Sequence, residues 1–73
     1  MVILLKQSDE TRPFFGMMCE SYVVGDDGVI TISKDDHLTG IVTVSVDSWD
    51  MYYEYDTHDV AKAFQMFDEE FPS

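Results

Sequence analysis

The chain has only one cysteine, Cys19, so it cannot form an internal disulfide. Secreted domains of about this size usually depend on disulfides, because a chain of 73 residues buries only a small core. The lone cysteine therefore favours a reducing, cytoplasmic location. Its apolar neighbours Met17, Met18 and Tyr22 are typical of a buried thiol rather than of a reactive nucleophile.

Long apolar runs, linkers and repeats are also missing. The apolar run Val2-Ile3-Leu4-Leu5 ends after four residues at Lys6, far short of the roughly 20 residues of a membrane-spanning helix. It predicts a strand instead. A hydrophobic fraction of 45%, with five Phe, four Tyr and one Trp, is too high for a disordered chain. We therefore expect one compact domain over residues 1–73.

Basic residues are scarce. Four Lys and Arg against fifteen Asp and Glu give a net charge of -11 at pH 7. Nucleic acids and anionic membranes attract cationic surface, so the composition argues against direct binding to either. It predicts a partner with a basic surface.

Motifs that carry chemistry are missing as well, including Gly-rich phosphate loops, nucleophile elbows and closely spaced histidine pairs. Cys19, His37 and His58 are too scattered to predict a zinc site. Asp26-Asp27-Gly28 and Asp35-Asp36 lack the alternating acidic register of an EF-hand, and turn chemistry explains the first of them. We expect no enzyme activity, no catalytic residue, no metal and no cofactor.

Turn residues and β-branched residues predict strands in the first half of the chain. The stretch Phe14–Val24 fits either a short helix or a strand, and its last residues, Tyr-Val-Val, favour a strand. Gly25–Gly28 predicts a hairpin turn. The chain then returns as Val29–Ser33, with Ile30 and Ile32 on one face.

Apolar residues alternate clearly from Val42 to Tyr55, with one change of phase. The first set is Val42, Val44 and Val46, and the second is Trp49, Met51, Tyr53 and Tyr55. A two-residue turn at Asp47-Ser48 explains the change and predicts a hairpin in which Val46 lies opposite Trp49.

A C-terminal helix is predicted after Tyr55. Thr57 can cap its first turn, and Asp59 suits the positive end of the helix dipole. The apolar stripe to be buried is Val60, Ala63, Phe64, Phe67 and Phe71. The predicted fold class is α+β, an antiparallel β-meander of 4–5 strands with one C-terminal α-helix packed on one face.

One long part of the chain contains acidic residues but no basic ones. Seven acidic residues lie between Asp35 and Ala61 without any Lys or Arg. On the predicted hairpin, alternate residues are about 6.6 Å apart, close to two axial steps of one nucleic-acid strand. Asp50, Glu54 and Asp56, with Tyr52 between them, are predicted on the open outer face of this hairpin, away from the apolar core, where the carboxylates can stand in for phosphates and the tyrosine for a base. The candidate partner-binding residues are Asp47, Asp50, Tyr52, Glu54, Asp56, Asp59, Asp68, Glu69 and Glu70, the last three at an end of the helix that disfavours negative charge.

Two functions follow from these patterns. The first is a stoichiometric inhibitor or regulator that mimics nucleic acid and occludes the basic groove of a nucleic-acid-binding protein. Small acidic phage inhibitors, such as anti-restriction and anti-CRISPR proteins, act in this way, although no motif here matches any one such family. The alternative is a generic interaction module or small subunit, either monomeric or homodimeric, that makes contact through aromatic and apolar surface. In that case the acids only keep the protein soluble.

Overall fold

Six strands and one C-terminal helix make up the fold in a computed structural model, which describes residues 1–72. Ser73, the last residue of the predicted domain, lies outside the described residues. The elements are β1 (Val2–Lys6), β2 (Phe15–Met18), β3 (Ser21–Val24), β4 (Ile30–Asp36), β5 (Gly40–Val46), β6 (Met51–Tyr55) and α1 (Val60–Glu70). The predicted α+β class is confirmed, with six strands rather than four or five.

The strands form two antiparallel sheets of three strands each. The first sheet has the order β2-β1-β6, and the second has the order β3-β4-β5. The second sheet is a simple meander, whereas the first brings together strands from both ends of the chain. The helix packs on one face of the first sheet and the second sheet packs on the other.

Strand β1 is buried on both faces, which explains its unbroken apolar sequence. Val2 and Leu4 face the helix, while Ile3 and Leu5 face the second sheet. All four side chains have an exposed fraction of 0%. The predicted strand is confirmed as the centre of the core.

The stretch Phe14–Val24 forms strands, as its last residues predicted, but it forms two of them. The chain leaves the first sheet after β2 and enters the second at β3. At the crossing, the Cys19 amide donates to the carbonyl of Met1, just before β1 of the first sheet, at 2.8 Å, and the Glu20 amide donates to the Ser33 carbonyl of the second sheet at 2.9 Å. Two adjacent amides therefore link the two sheets.

The hairpin turn predicted at Gly25–Gly28 is confirmed between β3 and β4. The Gly25 amide donates to the Val29 carbonyl at 2.8 Å, and Gly28 has a φ of 81°, which glycine adopts at little cost. Ile30 and Ile32 share the inner face as predicted and are fully buried.

The hairpin predicted between Val42–Val46 and Trp49–Tyr55 is wrong. Strand β5 pairs with β4, so that Val46 lies opposite Ile30. Strand β6 pairs with β1, so that Tyr55 lies opposite Val2. At Asp47-Ser48 the chain passes from β5 of the second sheet to β6 of the first. This passage shifts the alternation of apolar residues by one position, as a two-residue hairpin would.

The N-cap of the helix lies two residues later than predicted. Asp59, not Thr57, is the N-cap, since its Oδ1 accepts the amides of Ala61 at 3.0 Å and Lys62 at 3.4 Å. Thr57 Oγ1 accepts the amide of Asp59 instead. In the predicted stripe, Ala63 and Phe67 are buried, Val60 and Phe64 are half-buried, and Phe71 is 44% exposed beyond the helix end.

Candidate acidic binding surface

Strand β6 forms one edge of the first sheet, and several of the predicted binding residues lie along it. Tyr52 and Glu54 stand opposite Leu5 and Ile3, so both side chains are on the face toward the second sheet. They lie at the rim of that face, where Tyr52 is 43% exposed and Glu54 is also exposed. The side chains are therefore accessible, although the open outer face of a hairpin does not exist.

Tyr22 links this edge to the second sheet, and sequence reasoning did not assign it a role. Its hydroxyl donates to Glu54 Oε2 at 2.9 Å, and its ring meets that of Tyr52 edge-on at 5.4 Å. The hydrogen bond to Glu54 raises the pKa of Tyr22 to about 12. The hairpin turn at Gly25–Gly28 brings Tyr22 opposite Ile32, which the sequence predicts to face inward. This relationship is the signal that could have placed Tyr22 on an inner face.

Asp50 and Asp47 lie in the connection that leads into β6. Asp50 Oδ2 accepts the Ser8 amide at 2.7 Å, and this bond holds the pKa of Asp50 below its ordinary value. Asp47 Oδ1 accepts the Ser48 hydroxyl at 3.3 Å. Asp56 follows the last residue of β6 and is exposed. These carboxylates therefore flank the strand at both of its ends.

The acidic end of the helix lies on the other face of the same strand. The Tyr55 hydroxyl donates to Glu70 Oε2 at 3.1 Å, and Phe67 and Phe71 contact the Tyr53 ring edge-on at 5.2 and 5.3 Å. Burial and the bond to Glu70 raise the pKa of Tyr55 to about 12. Of the three helix-end acids, Glu70 is thus held against β6, whereas Asp68 is paired with Arg12.

We define the acidic border as Asp50, Tyr52, Glu54, Asp56 and Glu70. The remaining candidates lie outside it. Asp47 is in the approach to β6, Asp59 caps the helix start, and Asp68 and Glu69 belong to the last helical turn. An ionised carboxylate can accept about four hydrogen bonds, so one bond within the chain leaves it able to bind a cationic side chain.

Almost none of the negative charge is neutralised within the fold. All fifteen acidic side chains are exposed except Asp36, which is half-buried. The exposed pair Arg12–Asp68, at 2.9 Å, is the one ion pair among residues 1–72. Lys6 lies opposite Met51 at the start of β6 and helps to keep Asp50 ionised. With four carboxylates, the border therefore carries a net negative charge even with Lys6 beside it.

A cavity of about 280 Å³ lies where the chain passes between the sheets. Met1, Met18, Cys19, Glu20, Lys34, Asp35 and His58 line it. Burial raises the pKa of the Cys19 thiol above its ordinary value, which favours the unreactive thiol over the thiolate at neutral pH. The cavity brings Cys19 and His58 together, whereas His37 lies in the turn between β4 and β5.

Two of the four carboxylates considered as cation ligands, Asp27 and Asp36, serve local turns. Asp27 Oδ1 accepts the Val29 amide at 3.2 Å and Asp36 Oδ1 accepts the Leu38 amide at 2.9 Å. The bond from Leu38 lowers the pKa of Asp36. Within residues 1–72, no three His, Cys, Asp or Glu side chains converge as a metal site would require.

Comparison with known proteins gives no match: no family model, no curated protein and no solved structure matches this chain. A helix with the length and apolar character needed to cross a membrane is not present in residues 1–72.

Proposed function

We propose that the protein binds the basic surface of a nucleic-acid-binding protein and competes there with nucleic acid. The observation that carries the proposal is that exposed carboxylates, none of them in the one ion pair of residues 1–72, lie on both faces of β6, Glu54 on one and Glu70 bonded to Tyr55 on the other. A groove that binds nucleic acid presents cations to a row of phosphates. A row of carboxylates along a strand edge offers the same cations an alternative partner.

Spacing supports the proposal. Alternate residues of an extended strand are about 6.6 Å apart, near two axial steps of one nucleic-acid strand. Glu54 follows Tyr52 at this interval in β6, and Asp56 comes next along the chain. The exposed ring of Tyr52 lies among them and can stack on a side chain that normally receives a base.

Several carboxylates of the border are fixed in place. Glu54 is held by Tyr22, Asp50 by the Ser8 amide, and Glu70 by Tyr55. A carboxylate that is already oriented loses less conformational entropy when it binds than one on a free side chain. The implied mode of action is competitive occlusion by a binding protein rather than catalysis, with association accelerated by the negative field. A cytoplasmic location and a phage-type anti-restriction or anti-CRISPR-like role belong to the same proposal.

A charge-matched pair of variants tests this function. The border variant is Asp50→Asn, Glu54→Gln and Asp56→Asn, in which the amide oxygens still accept hydrogen bonds from Ser8 and Tyr22. The control variant is Asp9→Asn, Glu10→Gln and Asp26→Asn, which removes three exposed charges from the β1–β2 and β3–β4 connections. Both variants have the same net charge, so a difference between them reports the position of the carboxylates.

The assay uses partners captured from nuclease-treated lysate and then purified. Each is titrated with the protein in the presence of a fluorescent double-stranded DNA. We expect mutually exclusive binding, an affinity that falls steeply with added salt, and a loss of about tenfold or more in the border variant only. Equal losses in the two variants, or simultaneous binding of DNA and protein, would contradict the proposal.

A second candidate function is assembly through apolar surface, either as a small subunit or as a homodimer. It is favoured by the exposed apolar side chains of the second sheet and its turns, among them Val23, Leu38 and Ile41. Binding of this kind is insensitive to salt or strengthened by it, since it buries no opposite charges. The salt titration therefore separates the two candidates.

A further inference from the structure

Strand β5 is the longest strand edge left without a partner in residues 1–72. It forms one side of the second sheet and is paired only with β4. The segment from residue 37 to residue 46, which contains all of β5, is the longest stretch of the sequence without Asp, Glu, Lys or Arg. In a chain of net charge -11, such a stretch is a distinct surface.

The usual protections of an edge strand are missing from β5. Natural sheets protect their edges with charges, proline, bulges, short strands or covering segments. β5 has seven residues, GIVTVSV, and its register with β4 is continuous from Gly40 to Val46, without a bulge. The edge strands β2 and β3 have only four residues each, and β6 contains Glu54.

We propose that β5 pairs antiparallel with β5 of a second copy of this chain, which joins two second sheets into one six-stranded sheet. A two-fold axis at Thr43, the middle residue of the strand, allows all seven residues to pair. Thr43 then lies opposite the partner's Thr43, Val42 opposite the partner's Val44, and Ile41 opposite the partner's Ser45. Such a contact is isologous, with the same surface used twice.

The absence of charged side chains on β5 points to a second copy of this chain as the molecule that pairs with it. Two chains that each carry a net charge of -11 can approach closely only where carboxylates do not face each other. In the proposed register, the first acid after β5, Asp47, lies opposite the partner's Thr39. A basic partner, by contrast, is drawn to the acidic border and gains nothing from an uncharged edge.

Side chains of β5 also gain contacts in this arrangement. Val42 and Val44 are half-buried at the inner margin of the second sheet, and Ile41 is 76% exposed on its outer face. Cross-strand pairing brings the valines against their counterparts and covers part of Ile41. A strand edge buries less than the about 800 Å² per partner of a standard interface, so the dimer is reversible and depends on concentration.

Salt distinguishes the dimer from binding to a basic partner. Screening weakens the repulsion between two acidic copies, so dimerisation strengthens as salt rises, whereas binding to a basic groove weakens. The dimer is a specific form of the second candidate function, assembly through apolar surface. It does not depend on the first, binding to a basic surface. Failure of one proposal therefore leaves the other standing.

Sedimentation velocity tests the dimer, with the full chain at increasing concentration up to about 1 mM and in about 0.05 and about 0.5 M sodium chloride. We expect the mass to rise from 8.4 kDa toward twice that value, and to do so at lower protein concentration in the higher salt. A mass that stays at 8.4 kDa throughout overturns the dimer and leaves β5 as an edge for an extended strand of another protein.

Two lysine variants form a matched pair. Ser21 on β3 and Thr43 on β5 both lie opposite Ser33 and are exposed, one at each edge of the same sheet. Thr43→Lys places two cations together at the two-fold axis, and we expect at least a tenfold weaker dimer. Ser21→Lys changes the net charge equally and should leave the dimer intact. Equal weakening by both variants contradicts pairing through β5.

A cysteine pair tests the same edge without adding charge. Antiparallel neighbours have Cα atoms about 4.5–5.5 Å apart, which suits a disulfide. With oxidised glutathione as the electron acceptor, Thr43→Cys should form a covalent dimer much faster than Ser21→Cys, while the buried Cys19 is present in both. Equal rates of cross-linking would reject the proposed axis.

Discussion

The hydroxyl of Tyr22 donates a hydrogen bond of 2.9 Å to Glu54 Oε2 and connects an edge strand of one sheet to an edge strand of the other. Tyr22, on β3, thus holds in place the carboxylate of Glu54, which belongs to β6. The same contact keeps the ring of Tyr22 against Tyr52. The border is therefore a product of the packing of two sheets rather than of β6 alone.

The raised pKa values of two tyrosines predict a loss of stability at alkaline pH. The pKa values of Tyr22 and Tyr55 are about 12 in the folded chain against 10.0 for an ordinary tyrosine. The unfolded chain releases these protons first, so the free energy of unfolding should be unaffected below about pH 10 and should fall between about pH 10 and 12. Urea unfolding across this range measures the effect.

Tyr22→Phe is the control for this pH dependence. It keeps the ring but removes the hydroxyl, so it should lower the free energy of unfolding at pH 7 by about 1 kcal/mol and reduce the alkaline loss. If the variant retains the full alkaline loss, the proton of Tyr22 does not contribute to it.

Gly16→Ala should destabilise the packing of the helix on the first sheet. A Cβ at this position would lie 2.7 Å from Phe64 Cε2, 2.9 Å from Leu4 Cδ2 and 3.0 Å from Val60 Cγ1. Since two of these neighbours belong to the helix, we expect the free energy of unfolding to fall by about 1–3 kcal/mol. In a double-mutant cycle, Phe64→Leu should relieve part of this loss, and strict additivity would argue against a clash with Phe64.

Asp59→Ala should shorten or weaken the helix, because Asp59 accepts the amides of Ala61 and Lys62. The expected fall in the free energy of unfolding is about 0.5–2 kcal/mol, with a loss of helical circular dichroism. Asp56→Ala removes an equal charge from an exposed position outside the helix and should have a smaller effect. A matching loss in both variants would argue against capping by Asp59, since removal of a negative charge should by itself relieve repulsion.

Added salt should stabilise the folded chain. Its net charge is -11, and residues 1–72 contain one ion pair, so repulsion among carboxylates dominates the surface. We expect the free energy of unfolding to rise between about 0.05 and about 0.5 M sodium chloride as the repulsion is screened. Measurement in Thr43→Lys excludes a contribution from dimerisation, and a response that is flat in salt would argue against clustered acids.

The amino-acid sequence alone determined the local structure. Four consecutive apolar residues specified a strand, Asp and Gly at residues 25–28 specified a turn, and the spacing of Val60, Phe64 and Phe67 specified a helix with a buried face. These signals are local, because helix and strand periodicity and turn geometry depend on neighbouring residues. The excess of acid was equally plain from composition.

Only the tertiary structure decided which strands pair, and therefore where the acids meet. A change of phase at Asp47-Ser48 accompanies both a hairpin and a passage between sheets, so the pattern could not distinguish them. The choice depended on β1, whose two buried faces place it at the centre of a sheet and leave an edge for β6. Pairing between residues far apart in sequence depends on this competition for edges and faces, and it brought Glu54 to Tyr22 and Glu70 to Tyr55.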